Sequence, residues 1–271
     1  MHGPRWNLSD AAADYNEASQ TNKRGFANER IRLHRREESA GAPEVCLMTI
    51  SVIIPTLNEA SCLAETLRSV RVEGPHEILV VDGGSTDATC RLAREADRLL
   101  HGPRGRAAQM NHGAVHASGE ILLFLHADCT LERGALDAAR ECLRHRDVVA
   151  GCFRMTIADE KPIFRLVDAA ATARVRLTGL IYGDQGLFVE RRMFERIGGF
   201  PLLRLMEDVF ISKQLRRHGR AVVAPRRIFV SPRRWQRQGV VRQSLRNWTL
   251  TALAAAGVHP DRLAAFYPVV R

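Results

Sequence analysis

The chain has 271 residues, 45% of them hydrophobic, which suffices to bury one large core. Its longest purely apolar runs, such as 121–125 and 253–256, fall far short of the roughly 18 residues that a spanning helix needs. The first ten residues lack the basic start and apolar stretch of a secretory signal, so the expected compartment is the cytoplasm.

The six cysteines, at 46, 62, 90, 129, 142 and 152, form neither a Cys-x-x-Cys pair nor a Cys/His cluster. That spacing argues against a disulfide framework and a structural zinc site, and predicts reduced, mostly buried thiols. The net charge of +10 is unevenly distributed. Residues 191–271 carry 17 basic and four acidic groups, whereas 48–190 carry 16 and 19. An anionic partner for the last third, either phosphate groups or a peripheral contact with an anionic membrane surface on the inner face, is one reading of this asymmetry; a solvated arginine-rich surface is the other.

Residues 1–47 show weak periodicity and read as a mobile N-terminal extension, with Met48 a second candidate start of translation. Ile50–Ile54 is a β-branched strand ending at Pro55, and Ala60–Val70 has helical spacing at Leu63, Leu67 and Val70. Ile78–Val81 is a second strand, closed by Asp82-Gly83-Gly84, and Thr86–Ala96 a second helix. Ala107–Ala117 predicts another helix, Ile121–Leu125 a strand stopping at His126-Ala127-Asp128, and Val148–Ile157 a further strand. Helices follow around Phe164–Arg176 and Val209–Arg217, flanking loops at 183–186 and 206–208. The βαβα order implies an α/β sheet with polar groups recurring at the carboxyl ends of its strands, the edge where open sheets bind ligands.

Several residues at that edge suit nucleotide and phosphate chemistry. Pro55-Thr56-Leu57-Asn58-Glu59 follows the first strand and lines a nucleoside pocket, unless it is a plain turn with Asn58 capping the next helix. Asp82 can accept hydrogen bonds from a base beside the permissive Gly83 and Gly84. Asp128 closes an apolar strand, a position that suits a hard divalent cation bridging a carboxylate and two phosphates. His126 points to the same side if the strand continues; packing is its plainer role. Glu207-Asp208 opens a helix, either as a general base facing a cleft or as dipole-favourable capping.

Taken together, Ser51–Glu59, Val80–Asp87, His126–Asp128 and Glu207-Asp208 strongly resemble the family-2 inverting glycosyltransferases of GT-A fold. The stretches Arg104–Asn111 and Leu122–Asp128 resemble a bacterial branch of the arsenosugar-biosynthesis type. The resemblance spans about residues 49–235. It implies a GT-A (Rossmann-like) mixed sheet over 48–235, followed by a basic helical appendage at 236–271. It further implies a nucleotide-diphosphate sugar donor, an acceptor hydroxyl of unknown identity, and Mn²⁺ or Mg²⁺. Pro55, Thr56, Asn58, Glu59 and Asp82 are then nucleoside contacts, with Arg106 and Gln109 near the diphosphate or ribose. Asp128 is the metal ligand, Asp208 the catalytic base supported by Glu207, and Asp184 and Gln185 lie on the acceptor side; for 183–186 a simple turn is the alternative.

Two departures stand out. The family's Asp-x-Asp is His126-Ala127-Asp128 here, leaving one carboxylate, and of a Gln-x-x-Arg-Trp motif only Arg234-Trp235 remains, which favours single transfer over polymer synthesis. The rival readings are a sugar nucleotidyltransferase, disfavoured by the absence of a glycine-rich loop after the first strand, and a non-enzymatic binder of anionic surfaces or nucleic acid, with nucleic acid the less expected partner.

Overall fold

The computed structural model describes residues 47–256, 258–264 and 266. The segment expected to be a mobile extension therefore lies, but for Leu47, outside the described residues. In chain order the elements begin with β1 (Ile50–Thr56), α1 (Leu63–Val72), β2 (Glu77–Asp82), α2 (Thr89–Leu92) and β3 (Arg98–His101). They continue with α3 (Arg106–His116), β4 (Ile121–Phe124), β5 (Cys129–Leu131), α4 (Ala135–Leu143), β6 (Val148–Ile157) and α5 (Pro162–Thr178). After a 3-10 turn at Gly183–Gln185 come β7 (Leu187–Glu190), α6 (Arg191–Ile197), α7 (Glu207–Leu215), β8 (Arg220–Val230), α8 (Arg233–Gln238), α9 (Val240–Ala255) and α10 (Pro260–Ala264).

One eight-stranded sheet has the order β3-β2-β1-β4-β7-β6-β8-β5. β1 pairs in parallel with both β2 and β4, β7 runs antiparallel to β4, and β6 antiparallel to β7. The alternation along β1 explains its unbroken apolar run. Ile50, Val52 and Ile54 join the core on one face while Ile53 joins the core on the other, as a strand covered on both sides requires. β2 does the same, with Ile78 and Val80 on one face and Leu79 and Val81 on the other.

The strand order reverses between β1 and β4, so the loops after β1, β2 and β4 converge at one carboxyl edge. Because β7 is antiparallel and its Leu187 pairs with Phe124, the 3-10 turn before it arrives at that same edge. At the other side of the sheet Val230, ending β8, pairs with Cys129, and the Ser231 amide donates to the Asp128 carbonyl at 3.1 Å. The segment expected as a C-terminal appendage packs against the residues that precede it. Trp235 enters the main core, and Leu250 and Leu263 cluster with Leu205, Met206 and Val209.

Two elements differ from expectation. The helix expected from Thr86 to Ala96 begins only at Thr89 and passes from α-helix into a 3-10 turn at Ala93–Glu95; ahead of it Asp87 accepts from the amide and hydroxyl of Thr89 and from the amide of Ala60, tying the loop to the β1 side. β4 stops at Phe124, so Asp128 sits four residues past the strand in a turn; the strand continuation expected to align it with His126 is absent, yet both residues line the same pocket.

Candidate functional site

The loops after β1 and β2 are stitched together before any ligand is considered. Asn58 adopts a left-handed backbone (φ 56°), which asparagine tolerates, and its Oδ1 accepts from the Thr86 amide at 2.8 Å. Its own amide donates to Ser85 Oγ, and the Glu59 amide to Thr89 Oγ1. Asn58 therefore does not cap α1, whose N-cap is Cys62. Asp82, 2% exposed, accepts from the amides of Gly84 and Ser85 and from Ser85 Oγ. Burial pulls its carboxyl upward, but these hydrogen bonds outweigh that and hold it below the usual carboxylate range.

Gln109, expected near the diphosphate or ribose, turns its amide nitrogen inward. It is 4% exposed, and its Nε2 donates to the carbonyls of Thr56 (2.7 Å) and Val81 (2.8 Å), binding the ends of β1 and β2 together. Arg106, three residues earlier on α3, is half-buried and pairs through Nε with Oε1 of Glu207, which is 1% exposed.

Asp208 lies beside it in a pocket that also contains Arg106, His126, Asp128 and Asp184. Its Oδ2 accepts from the Gly183 amide at 2.8 Å and its Oδ1 from the Val209 amide. Burial, then the Glu207 charge, push its carboxyl up to about 6, against the opposing pull of Arg106 and the two amides. Neither acid of the pair caps α7 through its side chain. The N-cap is Met206, held at φ 65°, a backbone that costs a non-glycine residue roughly 1–2 kcal/mol. A Cβ at Gly183 would stand 2.6 Å from His126 Nε2, so a larger residue there would require the His126 ring to shift.

Asp128 is partly exposed in the pocket and faces Arg233, whose Nη2 lies 3.7 Å from Asp128 Oδ2 and 3.2 Å from Glu59 Oε2. Arg233 Nη1 donates to Ser61 Oγ at 2.7 Å. Burial, followed by the charges of Asp128 and Asp184, pushes the Cys129 thiol well up, which places both carboxylates around it. These oxygen donors at the pocket suit a hard cation, and a single protein carboxylate with substrate phosphates is a common magnesium arrangement. A second grouping, Asp82, Cys90 and His101, has ligand atoms within 4.8 Å of one another. It fits a metal less well, because both Asp82 oxygens accept hydrogen bonds and burial raises the Cys90 thiol.

Gln185, expected on the acceptor side, faces inward. It is wholly buried, and its Oε1 accepts from Arg174 Nη2 and the Tyr182 amide, so it holds the turn from within. Asp184 lines the pocket. Sequence reasoning missed the pairing of Arg233 with Glu59 and Asp128, and the apolar wall described below; the Arg-Trp pair at 234–235 was the available signal for the former.

The model of glycosyl transferase family 2 matches residues 51–205. The chain belongs to this family. Among curated family-2-like relatives, glycosyltransferase AglE of Haloferax volcanii is 28% identical over 172 residues, covering 56% of each chain. A PGL/p-HBAD biosynthesis glycosyltransferase of Mycobacterium bovis is 41% identical over 91 residues, covering 30% of this chain and 36% of that one. The chain thus spans about half or less of the length of these relatives. Among solved structures, the mannosyltransferase PcManGT of Pyrobaculum calidifontis, in complex with GDP-Man and Mn²⁺, superposes with a TM-score of 0.58 at 20% identity, over 90% of this chain and 74% of that one. Residues 1–349 of S. aureus TarS with UDP-GlcNAc give 0.55 at 19% identity, over 68% and 58%. The fold of this family-2 chain is GT-A. No helix among the described residues is long and apolar enough to cross a membrane.

Proposed function

We propose that this family-2 chain transfers a sugar, with inversion, from a nucleotide diphosphate to an acceptor hydroxyl. The observation that carries this reading is the meeting, in one pocket at the carboxyl edge, of Asp128 and of Asp208 with its raised carboxyl. The nucleotide-sugar complexes of PcManGT and TarS support a nucleotide-sugar donor, and family membership favours transfer over the nucleotidyltransferase and binder readings.

The nucleoside lies against the loops stitched by Asn58 and Asp82, with Pro55, Thr56 and Glu59 on the β1 side. With a carboxyl near 6, Asp208 is mostly ionised at neutral pH and still a competent proton acceptor. It takes the proton of the acceptor hydroxyl as that oxygen bonds to the anomeric carbon. The anomeric carbon–oxygen bond to the diphosphate breaks on the opposite face, and its electron pair leaves with the diphosphate. The Gly183 amide fixes the orientation of Asp208 by donating to Oδ2, and Glu207, neutralised by Arg106, supports it from behind. Asp128, with Asp184 alongside, would hold a divalent cation, Mn²⁺ or Mg²⁺, whose chemistry is to offset the charge of the departing diphosphate. Arg104–Asn111 supports membership of the arsenosugar-type branch, and the basic last third supports a cytoplasmic enzyme working against an anionic membrane face.

A melting-temperature screen of UDP, GDP and their sugars with Mn²⁺ tests the reading, since ligands of the native state raise apparent stability. A shift with at least one nucleotide, followed by metal-dependent release of that diphosphate from its sugar, is expected. No shift with any nucleotide would sink the proposal.

A further inference from the structure

We infer that the acceptor half of the pocket takes a hydroxyl carried on an alkyl or lipid-type aglycone, an assignment that rests on the glycosyl-transfer reading above. The lining of the cleft has two chemically distinct sources. The carboxyl edge of the sheet and the turn before β7 contribute Arg106, His126, Asp128, Tyr182, Gly183 and Asp184. The chain beyond residue 200 contributes Asp208 and, around it, Leu205, Met206, Val209, Val230, Trp235 and Leu250.

These six apolar side chains come from the loop before α7, from α7 itself, from the end of β8, from α8 and from α9. Leu205, Met206, Val209 and Leu250 form one contiguous cluster, each between 5% and 8% exposed. They belong to no other core, and they surround the residue proposed to deprotonate the acceptor. A free polar sugar displays hydroxyls all round and requires a hydrogen-bonding partner for most of them once water is excluded. From the same C-terminal elements the remaining polar lining residues are Ser231 and Gln243, and Gln243 is 1% exposed. Such a wall leaves a sugar's hydroxyls short of partners, whereas it matches a hydrocarbon chain.

The same segments carry apolar side chains outward. Leu202 is 54% exposed, Leu245 62% and Leu253 41%, with exposed Arg204, Arg242 and Arg262 among them. Large exposed aliphatics interspersed with cations next to an apolar pocket suit an acceptor whose tail continues beyond the protein.

Two glycosides that differ only in their aglycone test this directly: methyl β-D-glucoside and octyl β-D-glucoside, the latter below its micelle concentration. Binding is measured by calorimetry on the full chain saturated with the nucleotide that shifts its melt. The octyl glycoside is expected to bind at least tenfold more tightly than the methyl one. Met206→Gln and Leu250→Gln are each expected to reduce that preference to within about twofold, with the nucleotide-induced melting shift retained. Equal affinities for the two glycosides, or a preference untouched by either substitution, overturns the inference. Absence of any nucleotide shift strikes instead at the transfer reading, so the two failures are distinguishable. The wild-type comparison needs no variant, and Leu250→Ala replaces the glutamine variant if the latter lacks a cooperative melt.

Discussion

Arg106 and Glu207, 101 residues apart in sequence, form an ion pair in which the carboxylate is 1% exposed and the guanidinium 35%. It joins the first turn of α3 to the first turn of α7, and so links the nucleotide side of the pocket to the proposed base. Arg106 also lowers the Asp208 carboxyl through its charge. Replacing Arg106 with Gln leaves a buried acid uncompensated, and breaking such a pair costs about 3–5 kcal/mol in general. A loss near the lower end is expected in urea unfolding, because Arg106 is partly exposed. The midpoint of the pH–rate profile should also move upward, whereas an Arg106 that acted only on phosphate would leave that midpoint in place.

Asp208→Asn separates catalysis from stability. Turnover should fall by about 10²- to 10⁴-fold, the usual loss for a general base, with the nucleotide-induced melting shift intact. The wild-type rate should rise with pH through about 6, as the carboxylate forms. Stability runs the other way. A carboxyl raised on folding binds its proton more tightly in the native state, so this residue's contribution falls as pH rises from the unfolded value near 4 through about 6. Above that range Asp208→Asn should therefore melt higher than wild type, and no gain at pH 8 would argue against a strained, ionised Asp208.

Arg233 occupies the space between Glu59 and Asp128. Its side chain and both carboxylates are a quarter to a third exposed, so Arg233→Gln should cost less than about 1 kcal/mol of stability. Removing that positive charge should strengthen Mn²⁺ binding by the nucleotide-free protein, measured by calorimetry. Asp128→Ala should abolish Mn²⁺-dependent nucleotide binding in the same assay; unchanged affinity would remove Asp128 from the site.

Asn111 forms a two-way clasp with Phe200, its Nδ2 donating to the carbonyl at 2.8 Å and its Oδ1 accepting from the amide at 2.9 Å. Both partners are buried. Asn111→Ala strands a backbone donor and an acceptor, each costing about 1–3 kcal/mol. Loss of about 2–4 kcal/mol is expected in urea unfolding. A loss below 1 kcal/mol would show that water reaches the vacated site.

In the parallel half of the sheet β3, exposed at both ends, was not legible in the sequence, whereas β1, β2 and β4 were, because they are buried on both faces and read as unbroken apolar runs. β6 was legible for the same reason. β8 was not, since its pattern is interrupted by exposed Arg220, Arg226 and Arg227 near the sheet margin, and three-residue β5 is too short to announce itself. Asp128 and Asp208 were singled out by resemblance, yet their surroundings depend on partners distant in sequence. Nothing local distinguishes Gln109 or Gln185 as internal hydrogen-bonding residues rather than ligand contacts. The chemistry of a polar side chain is visible in sequence; the backbone carbonyl it will meet is not.

The longest of these ties, from Arg233 to Glu59, spans 174 residues, and the clasp between Asn111 and Phe200 spans 89. β1 to β4 pair through neighbouring crossovers, while the wall carrying Leu205, Trp235 and Leu250 can close only after most of the chain has been synthesised. Loops joined over such separations form slowly, because closure entropy precedes the contacts that reward it. A nascent chain in which β1 to β4 had paired before residues 205–250 folded would leave Asp208 without its Arg106–Glu207 support. Any such intermediate exposes the apolar pocket lining to its neighbours, which makes this region the one where crowding during expression should first produce aggregates.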